Sequence, residues 1–433
     1  MKVLLIYVVT ENINIPVLPL GMACIAASVE HAGHEVRQVS LTSQHARSEL
    51  ETVVSEFIPD VIGVSLRNVD DQKMESTQFL LGAVKEAISF CRILTEVPII
   101  LGGAGYSIFP DSALSYLEAD MGIQGAGEES FVKLLECIKE KKELNGIPGL
   151  FIPETEPLQT VAILDNPEAS PLPLPNRHLQ LAPAVKERKT MIPFQTGRGC
   201  PMNCNYCSTP AIEGVKPRHY SADKVIGALS KYVEDGFNHF FFVDNTFNLP
   251  GVHAAEICDR IIAEGLDISW QCIFYPWNVD EALIEKMAGA GCTDVSLGFE
   301  SGSEKILSIM NKRFRPEEVR RISEMLKRNS IYQMGFLLLG GPGETKETVE
   351  ESLVFAESLE LNMMKLTLGI RIYPNTPLAK TALEDGIITS DQNLLFPAFY
   401  MVPELEYWLR ETVKKKVGWK TELDLLVACP FCP

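Results

Sequence analysis

Cys200, Cys204 and Cys207 stand in Gly197-Arg198-Gly199-Cys200-Pro201-Met202-Asn203-Cys204-Asn205-Tyr206-Cys207, a C-x3-C-x2-C loop. No fourth cysteine and no histidine lies close by in sequence. Cysteine thiolates hold iron–sulfur clusters, and a cubane with three protein ligands leaves one iron open to a further molecule. Three buried thiols or a zinc knuckle are the alternatives. Structural zinc takes four ligands in paired C-x2-C or Cys/His sets, which this loop does not offer.

The elements that must position this loop follow from patterning. Residues 1–150 alternate short apolar runs with amphipathic stretches, the βαβ signature of a doubly wound sheet. Strands are predicted at 3–9, 35–41, 61–66, 98–102 and 121–124, with helices over 21–31, 48–57, 74–94 and 129–139. In such sheets ligands bind in the crevice outside the carboxyl ends of the strands. The loops there are Pro19-Leu20-Gly21, Ser65-Leu66-Arg67-Asn68, Gly102-Gly103-Ala104-Gly105 and Gly125-Ala126-Gly127-Glu128-Glu129. Proline-rich Ser170–Pro175 marks residues 151–190 as a stiff connector. A second alternating series fills 191–386, with strands expected at 192–196, 239–243, 269–274, 294–299, 333–339 and 365–371. Six β/α units suggest a partial barrel, with site residues on the loops after strands. Residues 387–433 read as a short tail.

The bulk numbers narrow the function. A formal net charge of −18 lacks the basic stripe that nucleic acid requires, so no nucleic-acid partner is expected. No apolar run is long enough to span a bilayer, and Met1–Val9 reads as a buried strand, not a leader. Eleven cysteines, three clustered and the rest scattered, do not form a disulfide framework, which fits a reducing cytoplasm. Cys429 and Cys432 are spaced like half a metal site, against a redox pair or an incidental end.

With Tyr206 directly before the last cysteine, the loop resembles the radical S-adenosylmethionine (radical SAM) superfamily. That resemblance implies a 4Fe–4S cluster on Cys200, Cys204 and Cys207 whose open iron binds S-adenosylmethionine, reductively cleaved to a 5′-deoxyadenosyl radical. Four segments extend it: Phe242–Asn248, Gly298-Phe299-Glu300-Ser301-Gly302, Leu339–Thr345 with its Gly-Pro-Gly-Glu turn, and Arg371–Pro377. It implies S-adenosylmethionine contacts from Tyr206, Asp244, Asn245, Glu300, Ser301 and Gly341. Asp244 with Asn245 replaces the family's glycine-glycine-glutamate; an ordinary turn-capping aspartate is the alternative. Glu344 is expected to order its turn. Tyr275, Arg371 and Tyr373 are candidates for lining the substrate space; for the aromatic stretch Trp270–Trp277, core packing is the commoner reason.

A Rossmann-like domain ahead of such a barrel resembles the cobalamin-binding radical SAM class. The resemblance implies a corrinoid held by Leu20, Gly21, Leu66, Arg67, Asn68, Gly102, Gly103, Gly125, Gly127 and Glu128. The D-x-H-x-x-G motif that supplies an axial histidine in many cobalamin proteins is absent, so no histidine is expected on cobalt. A degenerate domain that binds nothing is the alternative. The fold expected is therefore α/β: an N-terminal doubly wound Rossmann-like domain, a partial (β/α)6 TIM-like barrel and a short C-terminal tail. The class implies methyl transfer from methylcobalamin to an unactivated carbon of a small-molecule or lipid-like substrate. It also implies an external electron donor such as flavodoxin or ferredoxin. A non-methylating cyclisation or rearrangement, and a non-catalytic corrinoid or redox sensor, are the rival readings.

Overall fold

Lys2–Val8 (β1) buries six of its seven side chains, as expected of a central strand covered on both faces. In the computed structural model, which describes residues 1–10, 18–42, 46–153, 161–179, 191–414 and 420–421, β1 lies between β2 (Glu35–Leu41) and β3 (Val61–Ser65), parallel to both. The sheet continues through β4 (Ile99–Gly102), β5 (Met121–Ile123) and the antiparallel β6 (Leu150–Phe151), in the order β2-β1-β3-β4-β5-β6. Strand order reverses between β1 and β3, so the crevice of a doubly wound sheet opens beside the ends of those two strands. One predicted helix is shorter than expected: it runs Leu81–Leu94, not from 74. Ahead of it, Asp70 accepts from Gln72 N at 2.9 Å and Asp71 accepts from Gln78 N at 3.0 Å. These side chains cap turns that compete with helix.

The second sheet has the order β17-β14-β13-β12-β11-β10-β7, with every neighbouring pair parallel. Its strands are β7 (Ile192–Phe194), β10 (His239–Phe242), β11 (Ser269–Phe274), β12 (Cys292–Glu300), β13 (Tyr332–Leu339), β14 (Met363–Leu368) and the edge strand β17 (Lys420–Thr421). Between β7 and β10 a small hairpin pairs β8 (Gly197–Arg198) with β9 (Arg218–His219), and the three-cysteine loop hangs from it. The predicted tail does more than trail. It supplies β16 (Phe399–Tyr400), which pairs with β15 (Ile370–Arg371), and helix Pro403–Lys414, whose Leu405, Leu409 and Val413 pack into the barrel core. Those three residues recur every four positions, one face of a helix.

The proline-rich connector is strapped down. Lys224 Nζ donates to the carbonyls of Pro167, Glu168 and Ser170 at 2.9, 2.7 and 2.6 Å, and Tyr232 OH donates to the Pro173 carbonyl at 2.9 Å. The first sheet also shares a core with the segment beyond β14: Leu4, Ile62 and Leu101 belong to one buried cluster with Ile370, Ile372, Leu378 and Leu395. No helix among the described residues is long and apolar enough to cross a membrane.

Candidate active site

A cavity opens at the carboxyl ends of the first sheet and is closed on its far side by the barrel. From the first sheet it is lined by Leu20, Gly21, Arg67, Asn68, Gly102, Gly103, Gly125, Gly127 and Glu128; from the barrel come Gln195, Arg198, Thr209, Glu213, Asn245 and Tyr373. Nine of the ten corrinoid candidates thus meet in one place. The tenth, Leu66, does not: its side chain is 1% exposed in the core. Its backbone serves instead, since the Leu66 carbonyl accepts from Gly105 N at 3.0 Å. That contact requires glycine opposite. A Cβ on Gly103, where φ is +97°, would lie 2.5 Å from the Leu66 oxygen. At Gly21 a Cβ would meet nothing within 4 Å, so the cavity reaches the backbone there. Among the described residues no histidine lines it. A broad, mostly apolar cleft with backbone exposed by glycine suits a flat macrocycle edged with amides, and the residues present fit a corrinoid.

Arg198 connects this cavity to the cysteine loop. It sits two residues before Cys200 and pairs with Glu128, in the first turn of helix Gly127–Glu140, with side-chain exposures of 10% and 5%. Its Nε, buried beside the cavity, has no hydrogen-bond partner among the described residues.

Glu213 fixes the loop from below. Its carboxylate accepts from Gln195 Nε2 at 2.7 Å, Gly199 N at 3.1 Å and Asn245 Nδ2 at 2.5 Å. Thr209 Oγ1 then bridges Asn245 Oδ1 at 3.3 Å and Cys207 Sγ at 3.2 Å. The ends of β7 and β10 and the start of the loop are thereby tied into one unit. The three thiols are half-buried and free of disulfides. Burial pushes the Cys200 thiol up to about 11 and raises that of Cys204. Among the described residues no three His, Cys, Asp or Glu side chains are arranged around a single metal ion. A cubane does not require that, because each thiolate binds a different iron and the three sulfurs stand apart. Three half-buried thiols on one short loop, with no fourth cysteine on it, fit the cluster.

Two of the expected S-adenosylmethionine contacts are turned elsewhere. Asp244 accepts from Thr196 N at 3.0 Å, from Thr196 Oγ1 at 3.1 Å and from Gly197 N, so its buried carboxylate fastens the end of β10 to the segment leading into the loop. Burial pushes it up to about 7 against the hydrogen bonds that lower it. Ser301 is fully buried, bonded to Ser352 Oγ at 2.9 Å and accepting from Ser303 N at 3.1 Å. Gly341 N donates to Glu344 Oε2 at 3.0 Å, and Gly340 N to the same oxygen, so Glu344 orders the Gly-Pro-Gly-Glu turn.

Glu300, Tyr206 of the loop and Lys312, which the sequence pattern does not single out, form a largely buried triad. Glu300 adopts φ +57° at a bulge in β12, a backbone state that costs a non-glycine residue about 1 kcal/mol. Tyr206 OH donates to Glu300 Oε1 at 3.0 Å, and Lys312 Nζ lies 2.8 Å from Glu300 Oε2 and 2.9 Å from Tyr206 OH. Burial disfavours the Lys312 ammonium, yet Glu300, Tyr206 and Cys204 together hold it well above the usual lysine range. Only the tertiary pairing reveals Lys312, whose surroundings Asn311-Lys312-Arg313 read as an ordinary polar turn.

The substrate-lining candidates divide. Tyr373 lines the cavity. Tyr275 does not; its hydroxyl accepts from Arg313 N at 3.1 Å. Arg371 bonds Asp70 at 2.9 Å and the carbonyls of Ile372 and Leu394 at 2.6 and 2.9 Å, and is not among the residues that line the cavity. Cys429 and Cys432 lie outside the described residues.

Comparison with known proteins agrees with this architecture. The radical SAM superfamily model matches residues 194–356 and the B12 binding domain model residues 6–135. An uncharacterised methyltransferase of Pyrococcus horikoshii is 28% identical, over 96% of this chain and 90% of its own length. The tryptophan 2-C-methyltransferase of Streptomyces laurentii is 23% identical, over 88% of this chain and 74% of its own. Among solved structures, the radical S-adenosylmethionine methyltransferase TsrM from Kitasatospora setae, with tryptophan and an S-adenosylmethionine analogue bound, superposes with a TM-score of 0.83. That match has 22% identity and covers 95% of this chain and 88% of the other, a likeness of fold.

Proposed function

This chain belongs to the cobalamin-binding radical SAM proteins, and on that premise we propose that it is a methyltransferase acting on carbon in a small molecule. The observation that carries the reading is the single cavity that the corrinoid loops share with Arg198, Thr209, Glu213 and Asn245 around the cysteine loop. When bound, the cluster supplies the electron that cleaves S-adenosylmethionine and the corrinoid supplies a transferable methyl group. Cys200, Cys204 and Cys207 hold the cluster. Tyr206, Asn245 and Glu300 face S-adenosylmethionine; Asp244 and Ser301 support the scaffold instead. Leu20, Gly21, Arg67, Asn68 and the turns at Gly102–Gly103 and Gly125–Glu128 hold the corrinoid.

What this chain's own residues contribute is alignment and exclusion of water. The Glu213 network fixes the loop against the strand ends, and the buried pairs Arg198–Glu128 and Arg371–Asp70 close the seam between the domains. No general base is required, since the difficult bond changes belong to the cofactors. Methyltransferase names among the relatives, one of them acting on tryptophan, support methyl transfer to a small molecule. The electron comes from an external carrier such as flavodoxin or ferredoxin, in a reducing cytoplasm.

The test incubates anaerobically reconstituted, reduced protein with methyl-labelled S-adenosylmethionine and a panel of small molecules beginning with tryptophan. Label appearing in an organic product supports the proposal. Product formed without label would replace it with a cyclisation or rearrangement.

A further inference from the structure

Lys312 lies in the link between helices Glu304–Ile309 and Pro316–Arg328, and that link is laced to the cysteine loop. Asn311 Nδ2 donates to the Asn203 carbonyl at 2.7 Å and Arg313 Nη2 to the Pro201 carbonyl at 2.9 Å. From the loop, Asn205 donates back through its N to Met310 O at 3.2 Å and through Nδ2 to Ile309 O at 2.9 Å. These bonds hold the intervening ammonium over the loop, with its side chain 3% exposed. Three rings surround it, with Nζ 5.3 Å from the Tyr206 centroid, 5.7 Å from Tyr275 and 6.0 Å from Phe314.

Stability alone does not account for such an arrangement. Lysine is rarely buried unless paired, and a buried ion pair is often no more stable than apolar residues of the same volume. Lys312 Nζ reaches the loop itself, 2.9 Å from the hydroxyl of Tyr206, which stands between Cys204 and Cys207. In a medium that screens poorly, one charge so placed changes the energy of another charge added to the same loop.

We propose that Lys312 is a positioning residue whose cation compensates the negative charge the cluster gains on reduction, and so sets its potential. The proposal rests on the assignment of a cluster to Cys200, Cys204 and Cys207. The step is simple: a one-electron donor gives one electron to the cluster, no bond breaks, and the added charge stays on it beside the ammonium. Net charge and hydrogen bonding around the sulfurs are among the factors that set such potentials.

The test is a redox titration, followed by electron paramagnetic resonance, of anaerobically reconstituted protein without S-adenosylmethionine, with iron measured on the same samples. Lys312→Met is expected to move the midpoint potential to more negative values and Glu300→Gln to more positive ones, with iron content as in the parent. Lys312→Arg, which keeps the cation, is expected to stay near the parent potential. An unchanged potential in Lys312→Met at full iron content would overturn the proposal. So would shifts of the same sign in Lys312→Met and Glu300→Gln, or loss of the cluster in Lys312→Arg, each of which indicates packing instead of charge. Parent protein that takes up no cluster would instead overturn the cluster assignment itself.

Discussion

Arg371 Nε and Asp70 Oδ2 meet at 2.9 Å where the loop after β3 packs against β15, and each side chain retains 3% of its exposure. Asp70 follows the corrinoid-side loop, and Arg371 lies in β15 just before the cavity residue Tyr373. The pair therefore fixes the two walls of the cavity relative to each other.

Arg371→Met leaves Asp70 buried and uncompensated, which costs about 3–5 kcal/mol. The urea unfolding midpoint of the apoprotein should fall accordingly, and the double variant with Asp70→Asn should recover part of the loss. A loss below about 1 kcal/mol would show that the pair does not hold the seam.

Gly103→Ala places a methyl group against the Leu66 carbonyl at a positive φ that alanine resists. The 66–68 loop must move, and hydroxocobalamin affinity, read by absorbance titration, should drop at least about tenfold, or ~1.4 kcal/mol. Iron uptake should not change. Parent-like affinity would detach this turn from corrinoid binding.

Glu344 is pushed up to about 7 by burial, with the Gly340 and Gly341 amides pulling the other way. Its folded state holds a proton that the unfolded chain releases at lower pH. Its contribution to stability is complete below the ordinary carboxylate range and disappears as pH rises through about 7. Asp244 acts in the same direction. Between about pH 5 and pH 7.5 apoprotein stability should therefore decline, and Glu344→Gln should flatten that decline. An identical slope in the variant would contradict the assignment.

The cysteine loop and the glycine turns were legible because their constraint is local: thiols four and three residues apart, and backbone positions such as Gly103 and Gly125 whose positive φ and close contacts favour glycine. Strand positions were legible for a similar reason, since buried parallel strands are short apolar runs; Glu35–Leu41 and Ser269–Phe274 match their predicted limits. Side-chain direction was not legible. Asp244 and Ser301 sit at strand ends where a ligand contact was expected, yet they turn to Thr196 and Ser352, partners 48 and 51 residues distant. Lys312 was invisible because its partners, Tyr206 and Glu300, come from other segments of the chain. The tail was underestimated because Leu405, Leu409 and Val413 make a helical face whose covering surface is supplied by distant strands.

The central claim, that one chain carries a cluster on its cysteine loop and a corrinoid in the adjoining cavity, is tested by counting iron and corrinoid after anaerobic reconstitution. The account predicts about four irons and about one corrinoid per chain, with Ala at Cys200, Cys204 or Cys207 removing the iron while corrinoid stays bound. Protein that binds no corrinoid, or that keeps its full iron after loss of a loop cysteine, would contradict it.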